Sequence, residues 1–168
     1  MKDFSKDDIQ IGIVGAGVMG RGIAQLCAAS GINVVIMDLE LSACESARDF
    51  IFSMLQRAVE KGKLRENNFE QAKQCISISS QLEKLSNCDL IIEAVIEKLE
   101  IKKSLFQKLE KLVKKECILV TNTSSLSVTS IAACCDTPER VAGLHFFNPV
   151  PLMKLVEVVN AIRTSEAV

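Results

Sequence analysis

Ile9-Gln-Ile-Gly-Ile-Val-Gly15-Ala-Gly17-Val-Met-Gly20-Arg-Gly-Ile-Ala-Gln-Leu-Cys27 is the stretch on which the fold turns. Ile9 to Val14 reads as a buried strand, broken by Gly15-Ala-Gly17. Val18 to Ser30 then carries helical spacing and ends at Gly31, a C-cap position. G-x-G-x-x-G alone is a weak signal, but here it follows a strand and opens a helix, as a dinucleotide-binding turn must. The first glycine permits the tight turn, the second lets backbone approach a pyrophosphate, and Gly20 lets helix and strand pack closely. The helix N-terminus adds partial positive charge for the phosphates. Gly15, Ala16, Gly17, Val18, Met19 and Gly20 are therefore candidate cofactor-binding residues.

Asn33 to Met37 reads as the second strand, with Asp38 at its end, 18 residues after Gly20. A carboxylate there accepts hydrogen bonds from ribose hydroxyls and repels a 2′-phosphate. Leu39, Glu40 and Leu41 supply no arginine to hold one, so NAD is preferred over NADP. The competing reading is a tight turn with a solvated aspartate.

Outward from this unit, short apolar runs keep alternating with helical patterns. Ser42 to Lys61 reads as a long amphipathic helix stopped by Gly62, and Glu66 to Lys73 as a shorter one. Strands are expected at Cys75 to Ile78, Leu90 to Ile92, Cys117 to Val120, Arg140 to His145 and Lys154 to Val159. Helices are expected at Lys98 to Lys114 and Ser127 to Cys134. Strands alternating with helices make right-handed crossovers and a parallel sheet covered on both faces. The last two strands are joined by a short Pro-containing loop and should pair antiparallel. The predicted fold is α/β, a Rossmann-like doubly wound sheet.

The 168 residues suffice for one such domain, and 48% hydrophobic against 24% charged residues argues for a real core. A net charge of −1, from 20 basic and 21 acidic side chains, argues against nucleic acid or an anionic membrane as main partner. No run approaches the roughly 18 apolar residues of a membrane span. Met1 to Asp8 fits neither a signal nor a transit peptide. Seven dispersed cysteines without a Cys-x-x-Cys pair read as buried hydrophobes of a reduced, cytoplasmic protein with no structural metal. The adjacent Cys134 and Cys135 read as packing rather than redox chemistry.

His145, the only histidine, ends a strand on the carboxyl edge of the sheet, where such folds bind ligands. Along the last strand Leu155, Glu157 and Val159 share a face, and a carboxylate on an apolar face needs a partner. A hairpin closing over Phe146 to Met153 brings 145 and 157 together, giving a carboxylate that fixes the imidazole tautomer for proton transfer. The alternatives are a core histidine and a surface glutamate. Thr121-Asn-Thr-Ser-Ser125 also follows a strand and offers hydroxyls and an amide for a substrate oxygen, or ordinary N-caps.

These residues resemble the L-3-hydroxyacyl-CoA dehydrogenases. The matching stretches are GAGVMG (15–20), IIEAVIE (91–97), NTSSL (122–126), GLHFFNPVP (143–151) and MKLVEVV (153–159), in family order. The resemblance implies that His145 takes the proton from the substrate 3-hydroxyl while hydride passes to the nicotinamide, with Glu157 orienting it. It implies that Ser124 contacts substrate and cofactor, that Asn148 lies beside the nicotinamide, and that Glu97 and Lys102 contact the cofactor. Asp38 becomes the ribose-binding acid and Lys61 a contact to the CoA portion of an acyl-CoA substrate. A family serine earlier in that helix falls at or beside Met54, next to Ser53. The resemblance further implies fatty-acid β-oxidation or butanoate metabolism. It implies that residues 1–168 are the cofactor domain and that a helical C-terminal domain, absent from this chain, closes the site and forms a homodimer. A dehydrogenase of a free hydroxy acid and a non-catalytic NAD-sensing module are the rival readings.

Overall fold

The computed structural model describes residues 9–168; the expectation for Met1 to Asp8 lies outside them. The chain runs β1 (Gln10–Val14), α1 (Val18–Ala29), β2 (Asn33–Met37), α2 (Leu41–Glu60), α3 (Glu66–Cys75), β3 (Ile76–Ser79) and β4 (Leu90–Glu93). It continues with α4 (Leu99–Leu112), β5 (Ile118–Thr121), α5 (Val128–Ala132), β6 (Val141–Phe146) and β7 (Val156–Asn160). The seven strands form one sheet in the order β3-β2-β1-β4-β5-β6-β7. Every pairing is parallel except β6 with β7. The predicted doubly wound sheet with an antiparallel end is what forms.

Strand side chains alternate between two cores, because both faces of the sheet are covered. Ile11, Ile13, Val34 and Ile36 pack under α1, α2 and α3, through Ile23, Ala24, Ala47 and Ile51. Val14, Val35, Ile91 and Leu119 pack on the other face against Phe106, Leu109 and Ile131 of α4 and α5. Phe106 is fully buried, so Phe106→Ala should cost about 3–5 kcal/mol of stability. Gly31 and Gly62 follow the ends of α1 and α2 with φ of +78° and +65°, as expected of helix stops.

Element edges differ from expectation where local pattern is ambiguous. Cys75 closes α3 rather than opening β3, and Ser127 caps α5 by accepting from Ser130 N–H at 3.2 Å. Two 3-10 turns, Leu82–Leu85 and Pro138–Arg140, were not anticipated, and the second takes Arg140 out of β6. β7 starts at Val156, not Lys154, and is solvent-exposed along its whole length.

Candidate active site

The parallel strands β1, β4, β5 and β6 end on one edge, and between β1 and β4 the chain order reverses, opening the crevice in which such sheets hold ligands. The glycine turn fills the mouth of this crevice. Gly15 has φ +106°, and a Cβ there would meet the Ala94 carbonyl oxygen at 2.5 Å. A Cβ on Gly20 would lie 1.8 Å from the Gly15 carbonyl oxygen, so α1 can start this close to β1 only with glycine there. At Gly17 a Cβ would meet nothing within 4 Å, which leaves space over the turn. No side chain caps the N-terminus of α1 and no acidic residue stands in its first turn, so its N–H groups can receive an anion. The residues fit a dinucleotide pyrophosphate. Asp38 is not merely solvated: its Oδ2 accepts from Ala16 N–H at 2.8 Å, tying the end of β2 to the turn.

On the other side of the turn lies a cavity of about 320 Å³, with Met19, Glu97, Lys102, Ser124, His145 and Asn148 among its walls. His145 and Glu157 face each other across the β6–β7 ladder, as the hairpin required. His145 Nδ1 is 2.9 Å from Glu157 Oε2. An ionised carboxylate only accepts, so Nδ1 carries the proton and Nε2 is left as the basic nitrogen. Phe147 packs on the imidazole with ring centroids 4.5 Å apart. Burial is not what brings the pair together, contrary to expectation. Glu157 is half exposed, and Leu155 and Val159 beside it are exposed too, so no apolar burial forces the carboxylate to find a partner. Strand register alone places it.

Beneath the cavity lies a cluster for which only part was foreseen. Lys102 Nζ donates to Glu93 Oε1 at 2.6 Å and stands 3.2 Å from Glu97 Oε2. Glu93 and Lys102 are essentially inaccessible to solvent. Glu93 also accepts from Val95 N–H (2.7 Å) and, on Oε2, from the Thr121 hydroxyl (2.7 Å). Glu97 Oε1 accepts from the Thr123 hydroxyl, Ser124 N–H (3.2 Å) and the Ser125 hydroxyl (3.4 Å). Burial raises the Glu97 pKa, but the Thr123 hydroxyl and the Lys102 ammonium outweigh it and hold this carboxyl below the ordinary range. Asn122 Oδ1 accepts from Phe146 N–H at 2.9 Å, fastening the turn after β5 to the end of β6. Of the polar run 121–125, then, Thr121, Asn122, Thr123 and Ser125 hold the site together, and Ser124 lines the cavity. Glu93 went unrecognised, and so did its bond to Thr121, which was read only as part of the polar run. The available signal was a lysine on the inward stripe of α4, in line with Phe106 and Leu109, which requires a buried anion.

Lys61 and Met54 are not at this cavity. Both line a second groove of about 480 Å³ between α1, α2 and the Asn148–Leu152 loop. Arg21, Arg57 and Lys63 add basic character, and the Arg21 guanidinium lies 3.9 Å above the Phe50 ring. Val18 also faces this groove and is 55% exposed, so its side chain does not wall the first cavity. Asn148 touches both cavities and precedes a cis peptide bond to Pro149.

All seven cysteines are free. Burial pushes the thiols of Cys27 and Cys88 up to about 11 and those of Cys117 and Cys135 to about 12, and it raises Cys134 as well. Packing is what these groups do. Among the described residues no His, Cys, Asp or Glu cluster could hold a metal ion, and no helix is long and apolar enough to cross a membrane.

Comparison with known proteins identifies the family. The family model described as 3-hydroxyacyl-CoA dehydrogenase, NAD binding domain, matches residues 10–168. The chain is 43% identical over 158 residues to a 3-hydroxyadipyl-CoA dehydrogenase of Escherichia coli (strain K12), covering 94% of this chain and 33% of that protein. It is 41% identical to a 3-hydroxybutyryl-CoA dehydrogenase of Bradyrhizobium diazoefficiens, covering 94% and 54% respectively. A crystal structure of an Escherichia coli 3-hydroxybutyryl-CoA dehydrogenase superposes with a TM-score of 0.93 at 42% identity, over 95% of this chain and 34% of that one. The chain thus spans from a third to about half the length of these relatives. The match of the family model along nearly the whole chain places this protein in the 3-hydroxyacyl-CoA dehydrogenase family, as its NAD-binding domain, with NAD as cofactor.

Proposed function

We propose that this protein serves NAD-dependent oxidation of an L-3-hydroxyacyl-CoA to the 3-oxoacyl-CoA, or the reverse reduction. The observation that carries the reading is the His145–Glu157 pair at the wall of a cavity that also contains Ser124 and Asn148 and opens beside the glycine turn. His145 Nε2 takes the proton of the substrate 3-hydroxyl, and Glu157 stabilises the imidazolium that forms, an arrangement worth about 10²–10⁴ in rate. NAD supplies the hydride acceptor. The turn Gly15, Ala16, Gly17, Val18, Met19 and Gly20 cradles its pyrophosphate, and Asp38 takes a ribose hydroxyl. Gly15 and Ala16 hold the turn, through N–H bonds to the Met37 carbonyl and to Asp38, and the N–H groups at the start of α1 are the donors. Glu97 and Lys102 lie at its nicotinamide end. Ser124 holds the reacting oxygen of the substrate and Asn148 flanks the nicotinamide.

Lys61 meets the CoA phosphates, in a groove that Arg21, Arg57 and Lys63 make basic. The family's serine contact falls at or beside Met54, with Ser53 next to it. The exposed apolar side chains of β7, Val156, Val158 and Val159, with Leu155 just before them, are where a helical domain of a longer homodimeric enzyme packs. The free thiols suit a reducing cytoplasm, and the proposed reaction belongs to the metabolism of fatty acids or butanoate.

The test is NADH oxidation at 340 nm with acetoacetyl-CoA, by the protein and by a version extended with a relative's C-terminal domain. Activity in either that is lost in His145→Gln and absent with free acetoacetate supports the reading. NADH binding without turnover of the thioester in both overturns it.

A further inference from the structure

Glu93 touches neither cavity, yet both oxygens of its carboxylate are bonded. It is wholly buried and ends β4 directly opposite Thr121 at the end of β5. Burying an ion pair rarely gains stability over well-packed apolar side chains, so a charged pair in this place calls for a role other than holding the fold. Its contacts show one. Through Oε1 it fixes Lys102 Nζ, which stands against Glu97 Oε2. Through Oε2 it takes the Thr121 hydroxyl, whose oxygen accepts in turn from Thr123 N–H at 3.3 Å. Its backbone carbonyl accepts from Asn122 N–H at 2.8 Å. Glu97 grips the same turn from the other side, through Thr123, Ser124 and Ser125. The turn that presents Ser124 is clamped between two carboxylates joined by one lysine.

Asp38 lies on the β2 side of the glycine turn and the His145 cavity on the β4–β6 side. A dinucleotide whose pyrophosphate crosses Gly17 therefore carries its nicotinamide over the ends of β4 and β5. We infer that Glu93 is the positioning residue for the nicotinamide end of the site, acting through Lys102 and Thr121. This inference rests on the cofactor placement proposed above.

Glu93→Gln keeps the shape of the side chain but removes the charge and one acceptor oxygen. Thr121→Val removes a single hydroxyl from a strand end that tolerates β-branching. Each variant is titrated with NADH, read by nicotinamide fluorescence without Trp or Tyr background, and with ADP-ribose, which lacks only the nicotinamide, read by calorimetry. Both variants should weaken NADH about tenfold and leave ADP-ribose within about twofold of the unaltered protein. Equal weakening of both ligands, or no change in either, overturns the inference, because a merely structural role does not distinguish them. If Glu93→Gln does not fold, the Thr121→Val pair of titrations decides alone. An unaltered protein that binds neither ligand overturns the cofactor placement itself; one that binds both, with variants unchanged, overturns only the role of Glu93.

Discussion

The glycine turn and the His145–Glu157 pair share one edge of the sheet and are built in opposite ways. The turn is made of backbone, with its spacing enforced by carbonyl oxygens 1.8 and 2.5 Å from where a Cβ would stand. The pair is made of two side chains on the exposed end of the sheet, held by ladder register and one 2.9 Å hydrogen bond. A part built from backbone is intolerant of small changes and inseparable from the fold. A part built from side chains can lose its chemistry while the fold stands.

The largest effect should come from His145→Gln, which removes the base: turnover of acetoacetyl-CoA falls about 10²–10⁴-fold while thermal stability stays within about 1 °C. A large loss of stability would show that the edge supports the fold after all. Gly20→Ala is the converse. The added methyl collides with backbone rather than with a flexible tip, costing about 3 kcal/mol or more, a Tm drop of about 6–12 °C by differential scanning fluorimetry. Gly17→Ala separates the two roles of the turn. Its Cβ meets nothing, so Tm should hold within about 2 °C, but the methyl occupies the approach to the pyrophosphate and NADH affinity should fall about tenfold by titration.

Asp38→Asn should have a smaller effect. The amide oxygen can still accept from Ala16 N–H, so the turn stays closed, while loss of the charge narrows the preference for NADH over NADPH, measured as a ratio of Kd values. The gentlest test is acid. Glu97 has a folded pKa below its unfolded value, so its contribution is complete above the ordinary carboxylate pKa of 4.5 and lost as pH falls through the lower folded value. Thermal stability should therefore decline below about pH 4.5 in the protein, and less steeply in Glu97→Gln.

Local pattern made the glycine turn, the strand-helix alternation and the helix stops at Gly31 and Gly62 legible, because each depends on a few neighbouring residues. The 145–157 pairing was legible too, since a short hairpin fixes its own register. The reason attached to it was not, because the exposure of β7 depends on what lies across the sheet. Glu93, Lys102 and Thr121 come from two strand ends and a helix, and nothing in any one segment announces that they meet. Likewise Asp38 looked like a ribose acid, and its bond to Ala16 became visible only once β1 and β2 lay side by side.

From sequence alone came the doubly wound class, the dinucleotide turn and the preference for NAD, because steric and capping rules operate within a few residues. The clamp of Glu93, Lys102 and Glu97 on the turn before Ser124, and the separation of Lys61 and Val18 into a second groove, were decided by tertiary structure. A buried charge must find its partner across the sheet, and which partner it finds is set by strand order rather than by neighbours in the chain.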